Sequence, residues 1–110
     1  MTEDELSANL EEYLSSARLL ESHGKLNAAI VMYYKTMCSL ADTLIFKKIG
    51  RFPTNHTERF QILKGGWPEV YRILDKNFPL YKETYFSSLG KEALEVIKND
   101  FEKIVRIAET

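Results

Sequence analysis

Apolar residues recur at intervals of three and four through most of this 110-residue chain. The clearest example lies near the C-terminus, where the repeating positions are Leu94, Ile97, Phe101, Ile104 and Ala108. This spacing places apolar side chains along one face of a helix, which is stable only when another helix covers it. No segment shows the every-second-residue alternation of a half-buried strand. The sequence therefore predicts an all-α protein, a four- to five-helix up-and-down bundle.

Glycine and proline divide the chain into its helices. Gly24 and Gly50 supply helix stops, because glycine readily adopts the left-handed conformation that follows a helix. Pro68 suits a first helical position, and Pro79 is expected to kink or break that helix near Phe78. The predicted helices cover residues 4–22, 27–48, 56–63, 68 onward and 91–108.

Length and composition predict a single domain over residues 1–110, since a chain of this size builds one core. The longest uninterrupted apolar run, Ala28 to Tyr34, has seven residues, whereas a membrane-spanning helix needs about 20. The N-terminus is acidic and lacks the basic region of a secretory signal, so a cytoplasmic location is expected. The single cysteine, Cys38, lies in an apolar stretch and is predicted to be a buried, reduced thiol.

Charge is distributed unevenly although the net charge is only −1. Residues 1–24 carry six acids and one arginine, which gives −5, and residues 47–64 carry five bases against Glu58 alone, which gives +4. A local basic segment indicates an anionic ligand. The chain as a whole lacks the basicity of a protein that lives on DNA. A solvated surface loop is the alternative explanation of the basic segment.

The basic segment holds the only compact cluster of Arg, His and Asn in the chain. Asn55 and Glu58 fit a capping box, which would make Asn55 the N-cap of the third helix. His56 would then lie beside unpaired backbone N–H groups that attract anions, with Arg59 one turn on. We predict an anion- or nucleotide-binding site formed by Arg51, Asn55, His56 and Arg59. A purely structural helix start, with His56 bonded to a neighbouring helix, is the alternative, and general acid–base chemistry at His56 is a third interpretation.

Three residues of the second helix are candidates for supporting the fold or the site. Tyr33 and Tyr34 point about 100° apart on a helix, so one is expected in the core and the other partly exposed. Asp42 has apolar neighbours, and a buried carboxylate needs a partner, which Arg51 or Arg59 can supply. Apolar residues on several faces of this helix suggest contact on two sides, in the core or with a second subunit. The scattered histidines and cysteine form no recognisable metal site, and no cofactor is predicted.

Several of these motifs together resemble the HEPN domain, a prokaryotic and eukaryotic family of small helical bundles often described as nucleotide-binding. They are the Ala28-Ala29 and Tyr33-Tyr34 pairs, Ala41-Asp42-Thr43-Leu44, and the Gly-x-x-Pro-x-x-His loop that ends at His56. The resemblance covers nearly the whole chain. It implies a bundle that is usually dimeric and is often encoded with a small nucleotidyltransferase partner, as in toxin–antitoxin pairs.

Ribonuclease members of that family carry an Arg-x(4–6)-His motif, and Arg51 and His56 satisfy its spacing. In those members the motif normally lies late in the chain, and the corresponding region here, Phe78 to Gly90, contains neither Arg nor His. We therefore predict a non-catalytic HEPN-like module that dimerises and binds a nucleotide, nucleic acid such as RNA, or a partner such as a nucleotidyltransferase. A metal-independent endoribonuclease using Arg51 and His56 is the alternative. A tetratricopeptide-like interaction scaffold, suggested by the hairpin from Leu19 to Leu44, is the second alternative.

Overall fold

The computed structural model describes residues 1–109, which form five α-helices and, within that range, no strand. The helices are α1 (Glu3–Ser22), α2 (Leu26–Ile49), α3 (His56–Gly66), α4 (Pro68–Glu83) and α5 (Lys91–Glu109). They pack into a body of 38 × 25 × 25 Å. The prediction of an all-α bundle is confirmed.

Helix boundaries follow the local signals of the sequence closely. Gly24 and Gly50 have φ angles of 72° and 76°, in the left-handed region where a side chain is unfavourable. Asn55 is the N-cap of α3, since its Oδ1 accepts a hydrogen bond of 2.9 Å from the Glu58 backbone N–H. Pro68 occupies the first position of α4, where its missing N–H has no intrahelical acceptor to lose.

Pro79 does not break α4, so of the kink or break expected near Phe78 the break is not found. The helix continues to Glu83. Aromatic packing on both sides of the proline explains the continuity, because the rings of Phe78 and Tyr81 stack on Tyr34 of α2 at centroid distances of 6.1 and 4.8 Å. A break at Pro79 would separate these two contacts, so the aromatic packing favours a helix that continues past the proline.

Helix α2 is the centre of the bundle and contacts each of the other four helices. Tyr33 packs towards α5, with its ring 5.9 Å from that of Phe101, whereas Tyr34 packs towards α4. Both tyrosines are buried, at 3% and 1% exposure, so the expectation that one would be partly exposed is wrong. The physical reason is that the other four helices pack around α2, so that two neighbouring faces of this helix are covered at once.

The core consists mainly of aliphatic side chains contributed by all five helices. Cys38 is a free, buried thiol, as predicted, and burial raises its pKa to about 11. A thiol with such a pKa stays protonated and unreactive near neutral pH. Across residues 1–109, no helix combines the length and the apolar character needed to cross a bilayer.

Candidate functional site

A surface pocket of about 290 Å³ opens where α1, α2, α3 and α4 meet. We call it the His56 pocket. Its polar lining residues are Asn9, Lys35, Ser39, Asp42, Asn55, His56 and Arg59, and the others are Met1, Leu6, Tyr13, Tyr34, Cys38 and Tyr81. The structure therefore brings together most of the predicted site residues, while Arg51 and Tyr33 lie outside this lining.

Asp42 and Arg59 form the central ion pair of the pocket. The Arg59 Nε donates to Asp42 Oδ1 at 2.6 Å and Nη2 donates to Oδ2 at 2.9 Å, so both carboxylate oxygens are engaged. The two side chains are only 14% and 13% exposed. Burial disfavours the charged guanidinium, but the hydrogen bonds to Asp42 more than compensate and raise the pKa of Arg59. The predicted arginine partner of Asp42 is therefore Arg59 and not Arg51.

The same guanidinium determines the protonation of His56. Arg59 Nη1 lies 2.7 Å from His56 Nδ1. A guanidinium has only donors, so Nδ1 must be the acceptor and the ring proton must reside on Nε2. Partial burial, next to the rings of Phe60 and Phe78, and then the positive charge of Arg59 lower the pKa of His56. His56 is therefore a neutral imidazole with an Nε2–H donor at physiological pH.

The start of α3 is closed by a capping arrangement that also holds Arg51. Glu58 Oε1 accepts from the Thr54 backbone N–H at 3.0 Å and from Arg51 Nη1 at 2.9 Å. These two bonds lower the pKa of Glu58. The reciprocal half of the capping box thus reaches Thr54, one residue before the N-cap Asn55. Arg51 is half-exposed and bonded within the loop, so the structure does not bring it into the pocket beside His56.

The charge balance of the pocket is nearly even. Asp42 offsets the charge of Arg59, which leaves Lys35 as the other cationic lining residue, with its Nζ 5.9 Å above the Tyr13 ring. The N-terminus of α3 adds a partial positive charge. The first turn of α1, which carries the acidic residues 3–5, flanks the pocket through Met1 and Leu6. The pocket therefore offers individual hydrogen-bond donors and does not have a strongly positive electrostatic potential.

Lys35 is a lining residue that the sequence analysis missed as a site candidate. The signal was present, because Lys35, Ser39 and Asp42 follow the i, i+4, i+7 spacing of one helical face. This polar stripe interrupts an otherwise apolar helix. The sequence analysis considered Asp42 only as a carboxylate in need of a partner and did not include the other two residues of this stripe.

Tyr33 belongs to a separate structural cluster at the other side of α2. Its hydroxyl donates to Glu21 Oε1 at 2.7 Å, and Lys98 Nζ binds the other oxygen of Glu21 at 2.7 Å. These contacts connect α1, α2 and α5, so Tyr33 supports the fold. Over the described part of the chain, no group of three His, Cys, Asp or Glu side chains is arranged to hold a metal ion.

A second buried polar cluster joins α4 to α5. Asn77 Nδ2 donates to Asp100 Oδ2 at 2.9 Å, and Lys76 Nζ binds the same oxygen at 2.9 Å. Burial alone would raise the pKa of Asp100, but these donors outweigh it and lower the pKa. The cluster is satisfied internally, which indicates a structural role.

Comparisons with known proteins do not assign this chain to a family. It matches no protein-family model, no curated protein and no solved structure. The chemistry of the His56 pocket is therefore the basis on which a function is proposed.

Proposed function

We propose that this chain is a non-catalytic, HEPN-like helical module whose His56 pocket binds the phosphate group of a nucleotide or of nucleic acid. The observation that carries the proposal is the Nε2–H donor of His56, which Arg59 holds at the start of α3 beside Lys35. Phosphate oxygens accept hydrogen bonds and carry negative charge, so they suit a neutral donor, a lysine and a helix N-terminus together.

The size of the pocket fits a small anion. At about 290 Å³ it lies just below the range of ligand clefts, roughly 300–1,000 Å³. A phosphate with part of the attached nucleoside matches this space. The Asp42–Arg59 pair contributes by fixing the orientation of His56. Lys35 contributes a positive charge, because Asp42 pairs with Arg59 and not with Lys35.

The protonation of His56 supports binding over catalysis. A general base needs a free nitrogen lone pair, yet Nδ1 is engaged by Arg59 and Nε2 carries the proton. Arg51, the other residue of the endoribonuclease alternative, is bonded to Glu58 outside the pocket. We therefore expect no RNA cleavage in the presence of EDTA by the wild type or by His56→Ala.

Titration calorimetry with AMP, ADP, ATP and inorganic phosphate tests the proposal. Lys35→Ala should weaken binding by about tenfold, since a hydrogen bond to a charged group contributes roughly 1.5–3 kcal/mol. Lys47→Ala is the matched control, because this exposed lysine lies on the same helix about 18 Å further along, at about 1.5 Å per residue. His56→Ala should also lose affinity, whereas His56→Gln should retain most of it, because the glutamine amide can present a donor near the position of Nε2.

Two outcomes would contradict the proposal. The first is a wild type that binds none of the four ligands at millimolar concentration. The second is equal affinity of the wild type and both the Lys35→Ala and His56→Ala variants, because binding would then occur elsewhere.

A nucleotidyltransferase partner in a toxin–antitoxin setting is proposed from the family resemblance, and dimerisation from that resemblance together with the wide apolar surface of α2. A cytoplasmic location is proposed from the acidic N-terminus, which lacks the basic region of a secretory signal. Light scattering at micromolar concentration tests the oligomeric state, and a monomer would contradict dimerisation. Purification from the native host tests the partner, since a nucleotidyltransferase should be recovered with this chain.

A further inference from the structure

Two aromatic side chains are exposed on the connector between α4 and α5. Tyr85 is 69% exposed and Phe86 is 87% exposed. Side chains so open to solvent add little to the stability of the fold. Adjacent exposed aromatics are instead typical of surfaces that bind a ligand or a partner.

The side chain of Asn27, at the start of α2, helps to hold the connector that carries them, in addition to the connector's own turn hydrogen bonds. Asn27 Nδ2 donates to the carbonyl oxygens of Thr84 at 3.2 Å and Ser87 at 2.6 Å, and Asn27 Oδ1 accepts from the Leu89 N–H at 2.8 Å. These three bonds fix the backbone before and after the aromatic pair. A fixed presentation reduces the ordering cost of binding, so the pair is preorganised for a ligand.

The aromatic pair is continuous with the wall of the His56 pocket. Tyr81 lines the pocket, and the ring of Tyr85 meets that of Tyr81 edge-on at a centroid distance of 5.8 Å, with the two hydroxyl oxygens 3.1 Å apart. Tyr81 in turn stacks on the buried Tyr34. Ring contacts therefore connect the pocket wall at Tyr81 to Tyr85 on the connector, and Phe86 is the next residue along the chain.

Two lysines lie along this surface, where they can contact phosphate groups. The exposed Lys82, whose Nζ lies 4.8 Å above the Phe78 ring, precedes Tyr85 by three residues, and Lys35 lies in the pocket. Glu83 is the acidic neighbour on the connector side. Proteins that bind single-stranded nucleic acid combine hydrogen-bond donors for the phosphates with exposed aromatic side chains on which the bases stack.

We propose that the ligand of the His56 pocket is a segment of single-stranded nucleic acid, with one phosphate in the pocket and neighbouring bases stacked on Tyr85 and Phe86. This inference rests on the proposed function and names its ligand class. A mononucleotide would contact the pocket but not the connector, whereas a strand would contact both. The strand should therefore bind more tightly than AMP, and a duplex should bind weakly because its bases are already stacked.

Fluorescence anisotropy with short labelled oligouridylate, oligothymidylate and duplex RNA tests this inference at low salt. Phe86→Ala and Tyr85→Ala should each weaken single-strand binding by about fivefold or more, since stacking on an aromatic side chain is a main source of affinity. Phe86→Tyr and Tyr85→Phe should keep it. Leu19→Ala is the matched control, because Leu19 is also exposed, at 60%, but lies on α1 outside the pocket lining.

Binding of AMP by the same variants separates this inference from the proposed function. Phe86→Ala should leave AMP affinity unchanged and lower only strand affinity. If AMP binds but the alanine variants retain full strand affinity, or if duplex binds as tightly as single strand, the inference is overturned and the phosphate pocket stands. If neither AMP nor any oligonucleotide binds, both fail.

Discussion

Arg59 illustrates how one side chain sets the chemistry of another. A guanidinium offers five N–H donors in a rigid plane and no acceptor. Asp42 takes two of these donors and His56 Nδ1 takes a third. The orientation that Asp42 imposes on Arg59 thus decides which imidazole nitrogen carries a proton. Asp42 thus influences a ligand through this chain of contacts as well as through its own place in the pocket lining.

Breaking the ion pair should cost substantial stability. Asp42→Asn leaves a largely buried guanidinium without its counter-ion, and we expect a loss of about 2–3 kcal/mol, near the lower end of the range for broken buried pairs because the site is partly solvated. The double variant Asp42→Asn with Arg59→Met should lose less than the sum of the two single changes. Urea unfolding measures all three, and strict additivity would contradict the coupling.

Arg51→Ala is the control for this cycle, because its pair with Glu58 is on the surface. Exposed ion pairs contribute little. Its unfolding midpoint should stay near that of the wild type. A loss as large as that of Asp42→Asn would mean that the loop, and not the buried pair, stabilises α3.

His56 should make the protein less stable as the solution is acidified. Its pKa is lowered in the folded state, so the unfolded chain takes up a proton first, and stability falls as pH drops below the unfolded pKa of about 6.5. The lowered carboxyl pKa values of Glu21, Glu58 and Asp100 act in a separate range, because their stabilisation is lost only below the unfolded values of about 4.

Urea unfolding at pH about 7.5 and about 5.5 brackets the histidine range. The wild type should lose stability between the two, and His56→Asn should lose less, since asparagine keeps an acceptor for Arg59 but does not titrate. His23→Asn, which removes the other histidine, is the control. The same loss in the wild type and in His56→Asn would contradict the assigned protonation.

Side-chain contacts could be predicted from the sequence only where the two partners lie close together along the chain. The cap at Asn55 was predictable because its partner Glu58 is three residues away. The need of Asp42 for a partner was predictable from its apolar neighbours, but the choice of Arg59 was not. Arg51 lies in the loop and Arg59 in the first turns of α3, and only the placement of α3 against α2 brings Arg59, 17 residues along the chain from Asp42, to the carboxylate.

At the scale of the helices, caps and packing contribute differently. The ends of α1 and α2 were predictable to within two residues because glycine provides a local stop. The continuity of α4 through Pro79 was not, because it depends on rings stacked against α2. Glycine thus determines where these helices end, whereas tertiary contacts determine whether a helix continues through an interior proline.

One substitution at two glycines should have opposite effects. Gly65 lies within α3 and has no left-handed backbone, so Gly65→Ala should stabilise by about 0.5–1 kcal/mol through lower chain entropy in the unfolded state. Gly50 has a φ of 76°, so Gly50→Ala should destabilise by about 1 kcal/mol.

The two sites are matched in space, because an added Cβ would meet no atom within 4 Å at either one. Steric clash therefore cannot produce a difference between them. Urea unfolding of both variants measures the two signs. A shift of equal sign would show that backbone conformation is not what separates these positions.

For the whole molecule, α2 is the element on which the fold depends. It contacts every other helix, whereas α3 contacts only α2 and α4. The sequence indicated this through the wide apolar surface of α2 but left open whether a second subunit or this chain covers it. Periodicity reports that a face is apolar and does not identify the element that packs against it.

Hydrogen exchange should reveal this hierarchy. Amides in the middle of α2, near the buried Met37, should exchange only by global unfolding, because exposing them requires the loss of several helix contacts. Amides of α3 should exchange faster, through local opening. Exchange of a native sample followed by mass spectrometry or NMR measures both, and equal protection of α2 and α3 would contradict a central role for α2.

The position of Met1 has a practical consequence for experiments on this protein. Met1 lines the His56 pocket while remaining 69% exposed, so any residues placed ahead of it would emerge at the mouth of the site. A purification tag fused at that end would compete with the ligand for space, and a polyhistidine tag would add titratable groups beside His56. The tag should therefore be removed before titration. Comparing the ligand affinity of cleaved and uncleaved protein would also test whether ligands bind in this pocket, because only a ligand in the pocket should be affected by the tag.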